Sequence, residues 1–263
     1  MLNIHIGPHK TATTYIQSVL KNSVWKDGYQ YYDIYRSRRD ILPALNVSQA
    51  GVLPEFLQDE SKVHILSDEN LIGGPQGPIN MYPGAASSLK WAQGHGANVY
   101  FALRPYDEIF VSSWVESLRF YPYFPFKEGP PNRGYHHVLA EVEKQIDPSK
   151  IVTWMYSDFR DNSQDIMQLI AGGGISEFGQ HEAGDERFSP SKTVVELYRD
   201  ISGYVKPEKQ HEVFNILREH PQMGERGKFI PYSQSDVERL KERFERDCEK
   251  IASRYGIWAP PKK

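Results

Sequence analysis

Apolar residues in this chain come in short blocks whose spacing switches between two periods. Leu2 to Gly7 is a strand-like run, and beyond Pro8, His9 and Lys10 the residues Ala12, Ile16, Val19 and Leu20 recur at helical steps. A strand, a tight turn and a helix therefore open the chain. Further strands are predicted at Tyr29 to Tyr32, Val63 to Leu66, Asn98 to Leu103 and Lys150 to Met155, each separated from the next by enough residues for a helix. Runs such as Val63-His64-Ile65-Leu66 suit strands covered on both faces, the condition of a parallel sheet between helical layers. The predicted fold class is α/β, with a mostly parallel central sheet, helices on both faces and a helical C-terminal third.

That last third is read from its caps and stripes. Ser189-Pro190 looks like a cap with a first-turn proline, leading into a helix with Val194, Tyr198 and Ile201 facing inward. A final helix is expected from the capping pattern Ser235-Asp236-Val237-Glu238, carrying Val237, Leu240, Phe244, Cys248, Ile251 and Tyr255 on one face. Pro105 fits the first turn of a helix after Arg104, and Gly172-Gly173-Gly174 ends another. Two stretches rich in proline and glycine, Gly73 to Gly84 and Tyr121 to Gly134, are expected as long loops at the working face of the sheet. With no internal repeat and no low-complexity linker, residues 1–263 are expected to form a single domain.

Composition narrows the classes. The chain has 263 residues, 39% of them hydrophobic and 25% charged, with a net charge of -3, so a substantial core is expected and no global field for nucleic acid. Anion binding would have to be local. Cys248, the one cysteine, excludes an intrachain disulfide framework, and in its apolar stripe it reads as a buried side chain and not a nucleophile. The opening MLNIHIGPHK lacks a leader pattern, and nowhere do about 18 apolar residues run together, so a soluble cytoplasmic protein without an integral membrane segment is expected.

The chemistry begins in Gly7-Pro8-His9-Lys10-Thr11-Ala12-Thr13-Thr14, between the first strand and first helix. Free N–H groups at a helix start favour an anion, Lys10 adds a full charge, and three threonine hydroxyls follow it. The spacing is not that of a nucleotide-hydrolase P-loop, because His9 stands where that loop places glycine. Arg104 stands at the end of a predicted strand, and Ser112 follows it by eight residues, about two helical turns. The loop resembles the 5′-phosphosulfate loop of the sulfotransferases that use 3′-phosphoadenosine 5′-phosphosulfate (PAPS), and is similar to the bacterial pattern H-I-G-x-H-K-T-G-T-T, with Ala12 where that family usually has glycine. Arg104 and Ser112 match the family's 3′-phosphate element, and Gly224-Glu225-Arg226-Gly227-Lys228 resembles its distal basic loop.

The resemblance implies a P-loop-like fold and sulfuryl transfer from PAPS to a hydroxyl acceptor, a carbohydrate or other small metabolite, without a metal. It places Gly7, Pro8, His9, Lys10, Thr11, Ala12, Thr13, Thr14, Arg104, Ser112, Arg226 and Lys228 around the cofactor, with Lys10 on the leaving oxygen. Family members use a histidine or glutamate near the end of the strand after the first helix, which implies Glu69 as base; His9 and His136 are the other candidates. His64 is expected to be a satisfied core histidine. The aromatic stretch Phe120 to Phe126 is open between a lid, a stacking platform, a proline-stiffened loop covering core and an oligomer contact. Two other functions compete: a P-loop kinase using ATP and magnesium, which would need an upstream glycine the chain lacks, and a non-catalytic nucleotide-binding protein.

Overall fold

A computed structural model describes residues 1–47, 50–73, 81–126, 129–182, 190–219 and 229–260. Eight strands are present among them: β1 (Leu2–His5), β2 (Val24–Trp25), β3 (Tyr29–Tyr32), β4 (Val63–Ser67), β5 (Asn98–Leu103), β6 (Ile151–Met155), β7 (Ile175–Glu177) and β8 (Ile257–Trp258). Six of these form one sheet in the order β3-β4-β1-β5-β6-β8, and each neighbouring pair runs parallel. The remaining two, β2 and β7, make a small antiparallel ribbon. The longer helices are α1 (Thr13–Asn22), α2 (Tyr106–Ser117), α3 (Tyr135–Val142), α4 (Phe159–Ile170), α5 (Lys192–Ile201), α6 (Gln210–Glu219) and α7 (Gln234–Arg254).

Strand alternation divides the core into two layers. Val99, Phe101 and Leu103 of β5 pack on one face of the sheet with α2, α3 and α7 through Ile109, Leu139 and Leu240. Tyr100 and Ala102, one residue out of phase, face the opposite layer with Ile16 and Leu20 of α1 and Ile166 and Ile170 of α4. The expected α/β sandwich is therefore present. A third cluster joins Trp114 of α2 to Val195 and Tyr198 of α5 and Phe214 of α6, which anchors the helical C-terminal third. No helix among the described residues is long and apolar enough to cross a membrane.

Several boundaries differ from the sequence reading for local reasons. The opening strand ends at His5, although Ile6 N–H still bonds Tyr100 O at 3.0 Å, because Gly7-Pro8 turns the chain away. Pro105 is the residue before α2 and not its first turn, with extended ψ of 140°. Ser191 caps α5, its Oγ accepting from Val194 N–H; Ser189 lies outside the described residues. Ser233, two residues before the predicted pattern, caps α7 by accepting the Asp236 N–H at 3.2 Å. Gly173, at φ 80°, closes α4 by donating to Gln168 O, as its position after a helix predicts.

Candidate functional site

Parallel strands end on one edge of the sheet, and that edge of an open α/β fold is where ligands bind. The segments leaving β1, β4, β5 and β6 there supply His9 and Lys10, Glu69, Arg104 and Tyr156, and all five line one cleft of about 1070 Å³. Ala12, Thr13, Thr14 and Ser112 line it too. Segments far apart in sequence, from His9 to Tyr156, thus converge because the sheet order sets β4 and β5 on either side of β1, with β6 beside β5.

The loop after β1 is built from a compact turn. Thr11 is 1% exposed and donates its hydroxyl to Pro8 O at 2.6 Å, so Gly7, Pro8 and Thr11 form the turn's base and do not line the cleft. Gly7 has no room for a side chain, since a Cβ there would sit 2.7 Å from His5 Nε2. Lys10 and Ala12 both take left-handed φ, 69° and 62°. A helical Ala12 would have tolerated its methyl group; the observed φ instead places it where glycine is favoured, at roughly 1 to 2 kcal/mol. Left-handed residues in such turns shape anion-binding nests.

α1 starts directly after this turn with no side-chain cap, and Thr13 Oγ1 is buried there without a hydrogen-bond partner among the described residues. Unpaired N–H groups and an orphaned hydroxyl at a positive helix end are the donor set an anion satisfies. The Lys10 ammonium reaches Glu116 Oε2 at 3.3 Å across the cleft. Arg104 is held on three sides: Nη1 donates to Lys10 O at 2.5 Å, Nε to Glu108 at 3.1 Å, and the guanidinium lies 4.6 Å from the centre of the Tyr156 ring.

Glu69 is the acid that β4 delivers. Arg38 donates to its Oε1 at 3.1 Å and Gln17 to its Oε2 at 3.2 Å, leaving lone pairs on both oxygens. Burial pushes its carboxyl up, but its backbone hydrogen bond, the Arg38 charge and the Gln17 hydrogen bond are among the contacts that hold it below its ordinary value. Asp68 beside it is fully buried and bonded by Arg38 through both oxygens, and burial pushes its carboxyl up. Asp68, not Glu69, caps the short turn that follows β4, accepting from Asn70 N–H.

Other predicted residues settle elsewhere. His136 does not line the cleft; its Nδ1 lies 3.3 Å from Asp247 Oδ1, at the contact of α3 with α7, which corrects its candidacy as a base. His64 is a core histidine, 2% exposed, bonded to Tyr32 Oη and Asp59 O. Arg226 and Lys228 lie outside the described residues. The aromatic stretch is anchored on Trp114, whose ring contacts Tyr123, Phe124 and Phe126, while Phe120 and Tyr121 are 59% exposed and line the cleft mouth. Sequence reasoning missed Gln17, Arg38, Tyr82, Glu116 and Tyr156, polar residues without motif spacing.

No protein-family model matches the chain, and neither does any curated protein. Among solved structures, the chain is similar to a sulfotransferase from Alicyclobacillus acidocaldarius, at 12% identity and a TM-score of 0.38 over 81% of this chain and 95% of that one. A likeness at that level carries no argument, so the function rests on the site itself.

Proposed function

We propose that the chain is a sulfotransferase that moves a sulfuryl group from PAPS to the hydroxyl of a small acceptor by in-line displacement. The observation that carries this reading is the convergence of Lys10, Arg104 and Glu69 from three adjacent parallel strands on one cleft. Two cationic positions with an acid beside them suit a donor with two phosphate ends and an acceptor that must lose a proton. The orphaned Thr13 hydroxyl at an uncapped helix start fits one anionic end of such a donor. The cleft, at about 1070 Å³, has the volume for a nucleotide and a second molecule together.

PAPS supplies an activated sulfuryl group when bound. Lys10, Thr13, Thr14 and the first N–H groups of α1 would hold the 5′ end and neutralise the negative charge that develops on the leaving oxygen as its bond to sulfur breaks. Arg104 and Ser112 would hold the 3′-phosphate, with Arg226 and Lys228 as the expected closing residues. Glu69 takes the acceptor's hydroxyl proton as the new oxygen–sulfur bond forms. An ionised carboxylate is a weak base, so the transfer belongs late, when bonding to sulfur has acidified the hydroxyl. Arg38 and Gln17 keep the carboxylate ionised and oriented. Transfer of labelled sulfate from PAPS to a panel of hydroxyl compounds tests the reading. Turnover should vanish in Lys10→Ala and fall sharply in Glu69→Gln; unchanged turnover in both variants would overturn these roles.

A further inference from the structure

Tyr82 carries information that no motif announced. The His9 backbone N–H donates to its phenolic oxygen at 2.8 Å, and the Nδ1 of the same histidine lies 2.9 Å from that oxygen. Tyr82 is 2% exposed and has a φ of 43°, a conformation a bulky residue adopts only when its surroundings fix it. A backbone N–H can only donate, so one lone pair of the phenol oxygen is already used. The phenol's own proton is buried and needs an acceptor, and among the described residues the hydrogen-bond partner of Tyr82 Oη is His9 alone. Were the proton on Nδ1, two N–H groups would point at one oxygen and the buried hydroxyl proton would have no partner.

We propose that Tyr82 fixes His9 as the neutral tautomer protonated at Nε2, so that His9 is a hydrogen-bond donor in the cleft and Glu69 is its base. Tyr82 is then a positioning residue that acts through His9. With Nδ1 committed to the phenol, the imidazole has no free nitrogen to take a proton from an acceptor hydroxyl. Asn70 hydrogen-bonds the ring, and Glu69, Asp68 and Arg38 lie close enough to act on its charge. Burial holds its pKa below the ordinary histidine value although Glu69, Asn70 and Asp68 pull the other way, which keeps the ring neutral. His9 and Lys10 line the same cleft, so an Nε2–H that exchanged Asn70 for an oxygen of the transferring group would serve as a donor there; that consequence rests on the sulfotransferase reading, whereas the tautomer does not.

The test is nitrogen-15 NMR of the full chain labelled in its histidine rings, near pH 7, with the His9 signals identified by their loss in His9→Asn. The expected spectrum shows one unprotonated nitrogen, Nδ1, and one protonated nitrogen, Nε2, and Tyr82→Phe moves His9 toward a mixture of tautomers. A wild-type proton on Nδ1, or on both nitrogens, would overturn the inference, and this spectrum decides even if Tyr82→Phe does not fold. The measurement needs no PAPS. A chain with the Nε2–H tautomer that fails to bind adenosine 3′,5′-bisphosphate would keep the inference and remove the sulfotransferase reading, and the converse pair of results would do the opposite.

Discussion

The guanidinium of Arg104 donates to the backbone carbonyl of Lys10 at 2.5 Å, across 94 residues of sequence. The two segments proposed to bind anions are therefore one physical unit: the arginine that would meet one phosphate also braces the turn that would meet the other. Its side chain is 17% exposed and stacked on Tyr156, so little rotamer freedom remains to be lost on binding.

Arg104→Ala should accordingly act twice. Loss of a charge-assisted hydrogen bond lowers the stability of the free protein by about 2 kcal/mol in denaturant unfolding, and loss of the fork weakens adenosine 3′,5′-bisphosphate by roughly 2 to 4 kcal/mol. Arg104→Lys keeps the charge without the planar fork and should recover less than half of the affinity. Unchanged affinity in calorimetric titration of both variants would detach Arg104 from the phosphate site.

At Ala12 the strain is a matter of backbone alone. With φ at 62° and no side-chain cap to compensate, Ala12→Gly should raise stability by about 0.5 to 1 kcal/mol, while Ala12→Val should lower it by more, because a β-branched residue fits the left-handed region worst. Urea unfolding of the three proteins checks the order Gly above Ala above Val. A destabilised glycine variant would mean that Ala12 is not left-handed in solution.

His5 predicts a pH dependence. The ring is fully buried beneath the loop, with Nδ1 2.8 Å from Ser67 Oγ, and burial lowers its pKa to about 4. The unfolded chain, with an ordinary histidine near 6.5, binds the proton first as pH falls. Stability from this residue is thus complete above about 6.5 and is lost between there and about 4, by roughly 3 kcal/mol. His5→Asn should flatten that part of the stability profile relative to wild type. Equal acid slopes in the two proteins would contradict the assignment.

Cys248 packs against the core from α7, and burial pushes its thiol up to about 12. A thiolate-dependent reagent at neutral pH should leave the native protein unlabelled and modify it only on unfolding. Rapid native labelling would show that the α7 stripe opens.

Much of this fold was legible because buried parallel strands leave continuous apolar runs: Asn98–Leu103 is predicted and found with identical limits. The strands that were not foreseen, Val24–Trp25, Ile175–Glu177 and Ile257–Trp258, are two or three residues long and carry too little pattern to stand out. In the candidate site, Lys10 is visible by sequence because it is a cation between a strand and a helix start, and Arg104 because it ends a strand at a spacing that resembles a known family element. Gln17, Arg38 and Tyr82 are not, because their roles come from tertiary approach. Gln17 reaches Glu69 only because α1 packs against the end of β4, and Tyr82 meets His9 from a segment 73 residues away. The strain at Ala12 was equally hidden, since an alanine before a helix reads as helical until its φ is known.

The central claim is tested most directly by titrating the wild-type protein calorimetrically with adenosine 3′,5′-bisphosphate in the absence of magnesium. Saturable one-site binding, lost in Lys10→Ala and in Arg104→Ala, is the predicted result. No binding of the bisphosphate, with saturable binding of ATP only when magnesium is present, would contradict it.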